Sequence, residues 1–155
     1  MTKTKWRPML GSVLLAILVG QLAHLIGGSI GLAYRGMIQA PLSPPTWLFA
    51  PVWVIMYVLM GYAAYLVWKS EDADRERAIK LYAAKLALHM LWPLIFFRLG
   101  TMWIAAIVLC TLIVLAHKTM RLFSAIDPKA GRLFLPYLIW ILYLLYLNIG
   151  FAVMN

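Results

Sequence analysis

Acidic side chains are scarce in this sequence, five Asp and Glu against fourteen Lys and Arg, and none of the five lies inside a long apolar run. That absence removes paired carboxylates for acid–base catalysis and the intramembrane carboxylates that couple proton movement to transport. Cysteine is almost missing as well. The single Cys110 sits within an apolar stretch, which excludes an intrachain disulfide framework and a multi-cysteine metal site. Charged residues make up 12% of the chain and hydrophobic ones 65%, whereas soluble domains carry about 25% and about 45–50%. A soluble domain is excluded, and the composition points to an integral membrane protein of the all-α class. The apolar regions hold no nucleophile set beside a base and no cofactor motif.

What the sequence has in abundance is apolar length. Five stretches, at about 9–33, 47–68, 81–97, 102–123 and 133–154, approach the roughly 20 residues a spanning helix needs. They predict a single domain over residues 1–155, a bundle of five transmembrane helices. The first run follows Lys3, Lys5 and Arg7 but exceeds the roughly 7–15 apolar residues of a signal peptide, so it reads as a retained helix. Pro93 interrupts the third run and predicts a kink there.

The basic residues are unevenly distributed. Lys3, Lys5, Arg7, Lys69, Arg75, Arg77, Lys80, Lys118, Arg121, Lys129 and Arg132 fall on one side of the predicted bundle, and only Arg35 and Arg98 on the other. By the positive-inside rule the amino terminus is cytoplasmic and the carboxyl terminus outside, in a bacterial cell membrane. The net charge of +9 is therefore a topology signal, and a nucleic-acid partner is not expected. Glu71, Asp72, Asp74 and Glu76 read, with their basic neighbours, as a solvated mixed-charge loop.

The stretch SPPTWLFAPVW, residues 43–53, crowds proline and tryptophan at the start of the second run. Proline fixes φ and restricts the residue before it, so Pro41, Pro44 and Pro45 predict a stiff extended approach to the helix. Trp47 and Trp53 are six positions apart and face different directions on a helix. One is expected to anchor at the membrane interface while the other points into the bundle.

Three motifs in order, PPTWLFAPVWVIMYVLMGYAAYLVW, LALHMLWPLIFF and LPYLIWILYLLYLN, resemble the translocator protein family, also called tryptophan-rich sensory proteins or peripheral benzodiazepine receptors. The likeness runs from about residue 34 to residue 148. It implies a five-helix bundle, often a homodimer, whose internal pocket binds tetrapyrroles such as protoporphyrin IX or haem-like molecules. Synthetic benzodiazepine and isoquinoline ligands, and sterols in eukaryotic members, belong to the same implication. The porphyrin is a ligand, and neither a cofactor nor a metal is required. By this likeness Trp53 is the tryptophan of the PVW motif and Trp140 that of the PYLxW motif. Tyr34, Tyr57, Lys85, His89, Trp92, Phe96 and Asn148 complete the expected ligand-binding set, and Gln39, Pro41, Pro44, Pro45 and Trp47 form the expected lid and hinge. In some bacterial members the matching tryptophans are associated with light-dependent breakdown of bound porphyrin, which makes Trp53 and Trp140 the catalytic candidates if the protein is an enzyme.

Several positions depart from the family pattern. Most relatives read KPxWxPPxW where this chain has QAPLSPPTW, which puts Gln39 in place of lysine, Ala40 in place of proline and Leu42 in place of tryptophan. After Asn148 the chain offers Phe151 and no basic residue, so the sterol-associated pattern of the last helix is not supported. In the third helix the usual QLxxN is replaced by Lys85 and His89. With Trp92 and Phe96 they fall at i, i+4, i+7 and i+11, a single helical stripe that by resemblance faces the pocket.

A lysine at mid-bilayer costs roughly 2.5–3.5 kcal/mol on the insertion scale. Two readings of Lys85 follow: its amine snorkels to the headgroups, or Lys85 and His89 receive the carboxylates of a porphyrin whose ring is framed by Trp53, Trp92 and Trp140. Gln21, His24 and Asn148 read as hydrogen-bonding glue between helices. Ala83, Ala84 and Ala87 permit close approach, either to a second copy or within the bundle. Two functions remain: capture and handling of a tetrapyrrole, and photo-oxidative porphyrin degradation through Trp53 and Trp140.

Overall fold

The computed structural model describes residues 6–155; Lys3 and Lys5 of the basic amino-terminal cluster lie outside them. Six helices and no strand are present among the described residues: α1 (Trp6–Gly27), α2 (Ile30–Gly36), α3 (Thr46–Trp68), α4 (Arg75–Pro93), α5 (Met102–Ile126) and α6 (Pro128–Met154), with a π-helical turn, Leu94–Arg98, continuing α4. All but α2 are long and apolar enough to cross a membrane, which is the five-span arrangement expected. The helix is suited to that role because it satisfies its backbone polar groups within one segment.

Three boundaries differ from the apolar runs, each for a local reason. The first helix stops at Gly27 instead of running to residue 33: Gly28 takes φ +77°, a conformation closed to most side chains. The chain then restarts as α2, with Ala33 N–H bonded to the Ser29 carbonyl. The third span, α4, begins at Arg75, so Glu76, Arg77 and Lys80 are helical and not part of a loop. Glu76, Arg77 and Lys80 are exposed while Ala78 between them is buried, and the Lys80–Glu76 pair at 2.6 Å supports these turns at i, i+4, a pattern that apolar length does not register. The last helix starts at Pro128, where Asp127 accepts a bond from Lys129 N–H at 2.8 Å and proline occupies the first helical position.

At Pro93, where the sequence predicts a kink, the α-helical part of the span passes into the π turn, and Leu99 N–H bonds the Leu94 carbonyl five residues back at 3.0 Å. A π turn inserts one extra residue into the helical face. Two glycines bring helices together. A Cβ at Gly131 would lie 2.8 Å from the Ser124 Cα, and one at Gly61 2.6 Å from the Val13 Cα. The α5–α6 hairpin and the α1–α3 crossing therefore have glycine where their backbones meet, and Ser12 adds a 2.7 Å bond to the Gly61 carbonyl. The sealed core, with Met60, Leu109, Leu112, Phe123, Phe134, Tyr137 and Ile141 at 0% exposure, lies among α3, α4, α5 and α6. The outlier is α1, only 17% of whose apolar window is buried against 44% for α3. Ala83, Ala84 and Ala87 are exposed on α4, so they are not used to pack the bundle.

Candidate functional site

A cavity of about 260 Å³ lies between α1 and the α3–α4 face, at the end of the bundle nearest α2. Its aromatic wall is built by Phe49, Trp53 and Tyr57 on α3, spaced four apart on one helical face, by Trp92 and Phe97 on the α4 span, and by Tyr34 on α2. Gly20 and Ala23 make the α1 side small, with Gly20 backing directly onto the Tyr57 ring. Gln21, His24, Ala50 and Val54 line the cavity and are exposed, so its mouth opens laterally between α1 and α3. No Lys, Arg, Asp or Glu lines it.

Of the nine ligand-binding residues expected from the sequence, Tyr34, Trp53, Tyr57, His89 and Trp92 border this cavity, while Lys85, Phe96, Trp140 and Asn148 do not. Phe96 stacks on Trp92 at 5.2 Å between centroids and turns toward Phe151, while Phe97 takes the cavity position. The π turn accounts for the swap, because its extra residue advances the face by one. Trp140 stands behind Trp53, edge-to-face at 6.1 Å, with its indole N–H buried and without a hydrogen-bond partner among the described residues. Asn148 acts as the expected interhelical glue: it accepts from Trp92 Nε1 and donates to the Met102 carbonyl, both at 2.9 Å. Trp92 is thereby held in position by a residue that never reaches the cavity. Gln21 and His24, expected to bond between helices, make no hydrogen bond among the described residues and sit at the mouth.

Lys85 does not snorkel. It is fully buried, with Nζ 2.8 Å from Met60 Sδ and 3.7 Å from the centroid of the Tyr137 ring, and the Phe134 and Tyr82 rings complete the cage at 5.4 and 5.5 Å. Cation–π attraction of this kind is strongest where water is excluded. One helical turn further along α4, His89 lies between two phenols, with Nε2 2.9 Å from Tyr57 Oη and Nδ1 3.4 Å from Tyr137 Oη. Trp53 meets the imidazole edge-on at 4.9 Å and stacks on Tyr57 at 5.7 Å. The stripe at Lys85, His89, Trp92 and Phe96 thus points into the bundle as a whole, but only its middle pair reaches the cavity.

The segment leading to α3 lies across the end of α6. Tyr143 and Tyr146 hydroxyls donate to the Leu42 and Pro41 carbonyls at 2.6 and 2.8 Å, and Asn155 Oδ1 accepts from Ile38 N–H at 2.7 Å. Gln39 Nε2 donates to the Tyr34 carbonyl at 2.7 Å, and the Tyr34 hydroxyl donates to the Pro44 carbonyl at 2.7 Å. Burial pushes the Tyr34 hydroxyl above its ordinary pKa, which keeps that donor protonated. Leu42 takes φ +62° with its side chain 82% exposed. Pro45 is extended immediately before α3, as the sequence requires, and Trp47 faces outward while Trp53 turns inward.

The TspO/MBR family model matches residues 12–154. The chain belongs to the TspO/MBR family. It is 35% identical over 149 residues to the Translocator protein of Homo sapiens, covering 92% of this chain and 87% of that one. It is 32% identical over 130 residues to the Tryptophan-rich protein TspO of Archaeoglobus fulgidus, with 79% of each chain covered. With the Tryptophan-rich sensory protein of Cereibacter sphaeroides it shares 39% identity over 98 residues, 63% of this chain and 61% of that one. Five apolar spans and membership of the TspO/MBR family make this an integral membrane protein. Among the lining residues that the sequence alone had not placed in the cavity are Phe49, Phe97 and the small α1 wall. The i, i+4 spacing of Phe49 with Trp53 was the available signal for the first.

Proposed function

We propose that this TspO/MBR protein binds a flat tetrapyrrole, of the protoporphyrin or haem-like kind, in the cavity between α1, α3 and α4. The observation that carries the reading is the wall itself: six aromatic rings and no charged side chain around a laterally open slot. Offset and edge-to-face contacts suit a large π-surface, and pockets for apolar ligands combine such rings with few polar groups. The volume of about 260 Å³ is at the small end for a ligand site, so a macrocycle would occupy the mouth as well. Benzodiazepine- or isoquinoline-type ligands fall within the same chemistry. Fluorescence-quenching titration of the purified, detergent-solubilised protein with protoporphyrin IX tests it: saturable quenching in the dark is expected, weakened at least tenfold by Trp53→Ala. A linear, unsaturable response would overturn the reading.

The Trp53–Trp140 pair, one ring on the wall and one partly buried behind it at 6.1 Å, favours a second reading in which light and dioxygen degrade the bound porphyrin with these rings as electron relays. Its test is a product spectrum that forms only under illumination and is lost in Trp53→Phe. The basic bias of the sequence further supports a cytoplasmic amino terminus in a bacterial cell membrane, and reporter fusions at both termini would read that orientation directly.

A further inference from the structure

The buried amine of Lys85 has no counter-ion among the described residues. Its neighbours on α3, α4 and α6 are Met60, Tyr82, Phe134 and Tyr137, all uncharged. The chain's five acidic residues, Glu71, Asp72, Asp74, Glu76 and Asp127, sit in the α3–α4 connection, the first turn of α4 and the amino-terminal cap of α6. The ion pairs among the described residues are Arg77–Asp74 and Lys80–Glu76, both exposed. When protonated, an amine enclosed in this way attracts an anion far more strongly than it would in water, and an anion that approaches it favours that protonated form. The cavity, meanwhile, supplies no charge of its own.

The two are connected by a line of contacts: Lys85 over the Tyr137 ring, Tyr137 Oη to His89 Nδ1, and His89 Nε2 to Tyr57 Oη on the cavity wall. A neutral imidazole has one donor and one acceptor nitrogen, so its two phenol contacts must run in the same sense. In the protonated form of Lys85, the positive charge beside Tyr137 orients that phenol's proton away from itself, toward His89 Nδ1. His89 then donates through Nε2 to Tyr57 Oη, and the Tyr57 proton is left free to point into the cavity. Linked hydrogen bonds polarise one another, so the charge at the far end strengthens the donor at the near end.

We propose that Lys85, acting through Tyr137 and His89, makes the cavity selective for ligands that carry a carboxylate, which lodges against the Tyr57 hydroxyl and serves as the missing counter-ion. Lys85 is in this scheme a positioning and charge-setting residue, one that never touches the ligand. The inference deepens the tetrapyrrole reading and rests on it only for the choice of the first probe.

The test compares an acid with its ester, so that partition into detergent cancels between variants. Protoporphyrin IX and its dimethyl ester are titrated by fluorescence quenching against the full chain, Lys85→Met and Tyr57→Phe. The diacid is expected to bind the unaltered protein at least tenfold more tightly than the ester. In Lys85→Met that preference should fall to about parity while ester affinity holds. Tyr57→Phe removes a single hydroxyl and should lower the preference several-fold, which keeps the test decisive if Lys85→Met does not fold. Equal binding of acid and ester to the unaltered protein, or an undiminished preference in Tyr57→Phe or in a folded Lys85→Met, overturns the proposal. If neither porphyrin binds, the tetrapyrrole reading fails by itself, and the same comparison is made with 1-pyrenebutyric acid and its methyl ester. Acid preference that depends on Lys85 and Tyr57 then sustains the charge inference, and its absence overturns it.

Discussion

The interior of the bundle contains two aromatic clusters on either side of His89, and they have opposite fates. Around Lys85, Phe134, Tyr137, Phe123 and Met60 are at 0% exposure and close on one another without a gap. Around Trp53, a comparable set of rings leaves a cavity of about 260 Å³. Both are built largely from Tyr and Phe around a nitrogen base, with tryptophan added only on the cavity side. The difference is the partner helix. The cage is enclosed by α3, α4, α5 and α6, whose hairpin is drawn tight at Gly131. The other cluster faces α1, which approaches α3 backbone-to-backbone at Gly61 and is held off further along by the Tyr57 ring against Gly20. An aromatic face becomes a site where a large side chain holds the neighbouring helix away from it.

Changes that act on one cluster and spare the other probe this contrast. The largest effect is expected from Phe134→Ala, which empties the centre of the cage and should destabilise the fold by about 3–5 kcal/mol. Thermal melting in detergent reads the loss, and saturable porphyrin quenching at low temperature should survive it; lost quenching in a folded variant would mean that the two clusters are not separate. Gly61→Val forces α1 off α3 at their closest point and should cost about 1–3 kcal/mol, with the drop in melting temperature accompanied by altered quenching because the cavity's outer wall moves. Gly20→Ala adds one methyl group against the Tyr57 ring, which must swing and release His89. Its expected cost is about 1 kcal/mol, with a change in ligand affinity larger than the change in stability; the reverse ranking would place Gly20 in the packing and not in the site. The smallest effect is expected from Asn155→Ala, which frees Ile38 from α6. About 0.5–1 kcal/mol is at stake, and faster amide exchange at residues 38–42 with little change in melting temperature would show that the strap is held locally.

Much of the fold was legible in the sequence because spanning a membrane depends on a local property, roughly 20 apolar residues in succession. The errors fell at helix ends. Gly28 breaks the first run, and the charged turns at Arg75–Lys80 extend the third span, α4, although they are not apolar. The cavity wall was legible where the family resemblance carried over residue by residue, as for Trp53, Tyr57 and Trp92. It was not legible where the register slipped, because a π turn shifts the face from Phe96 to Phe97 without any mark in residue type beyond Pro93.

The sequence by itself determined that the chain is helical, that five of its helices are spans, where proline stops the extended segment, and which faces are aromatic, since each of these is settled by residues within about two turns of one another. Only the tertiary structure decided that Lys85 is caged and not snorkelling, that Asn148 holds Trp92, that Trp140 lies behind Trp53, and that a cavity exists at all. Each of those outcomes depends on a surface contributed by another helix, and burial is a property of the space between elements that no single run of residues contains.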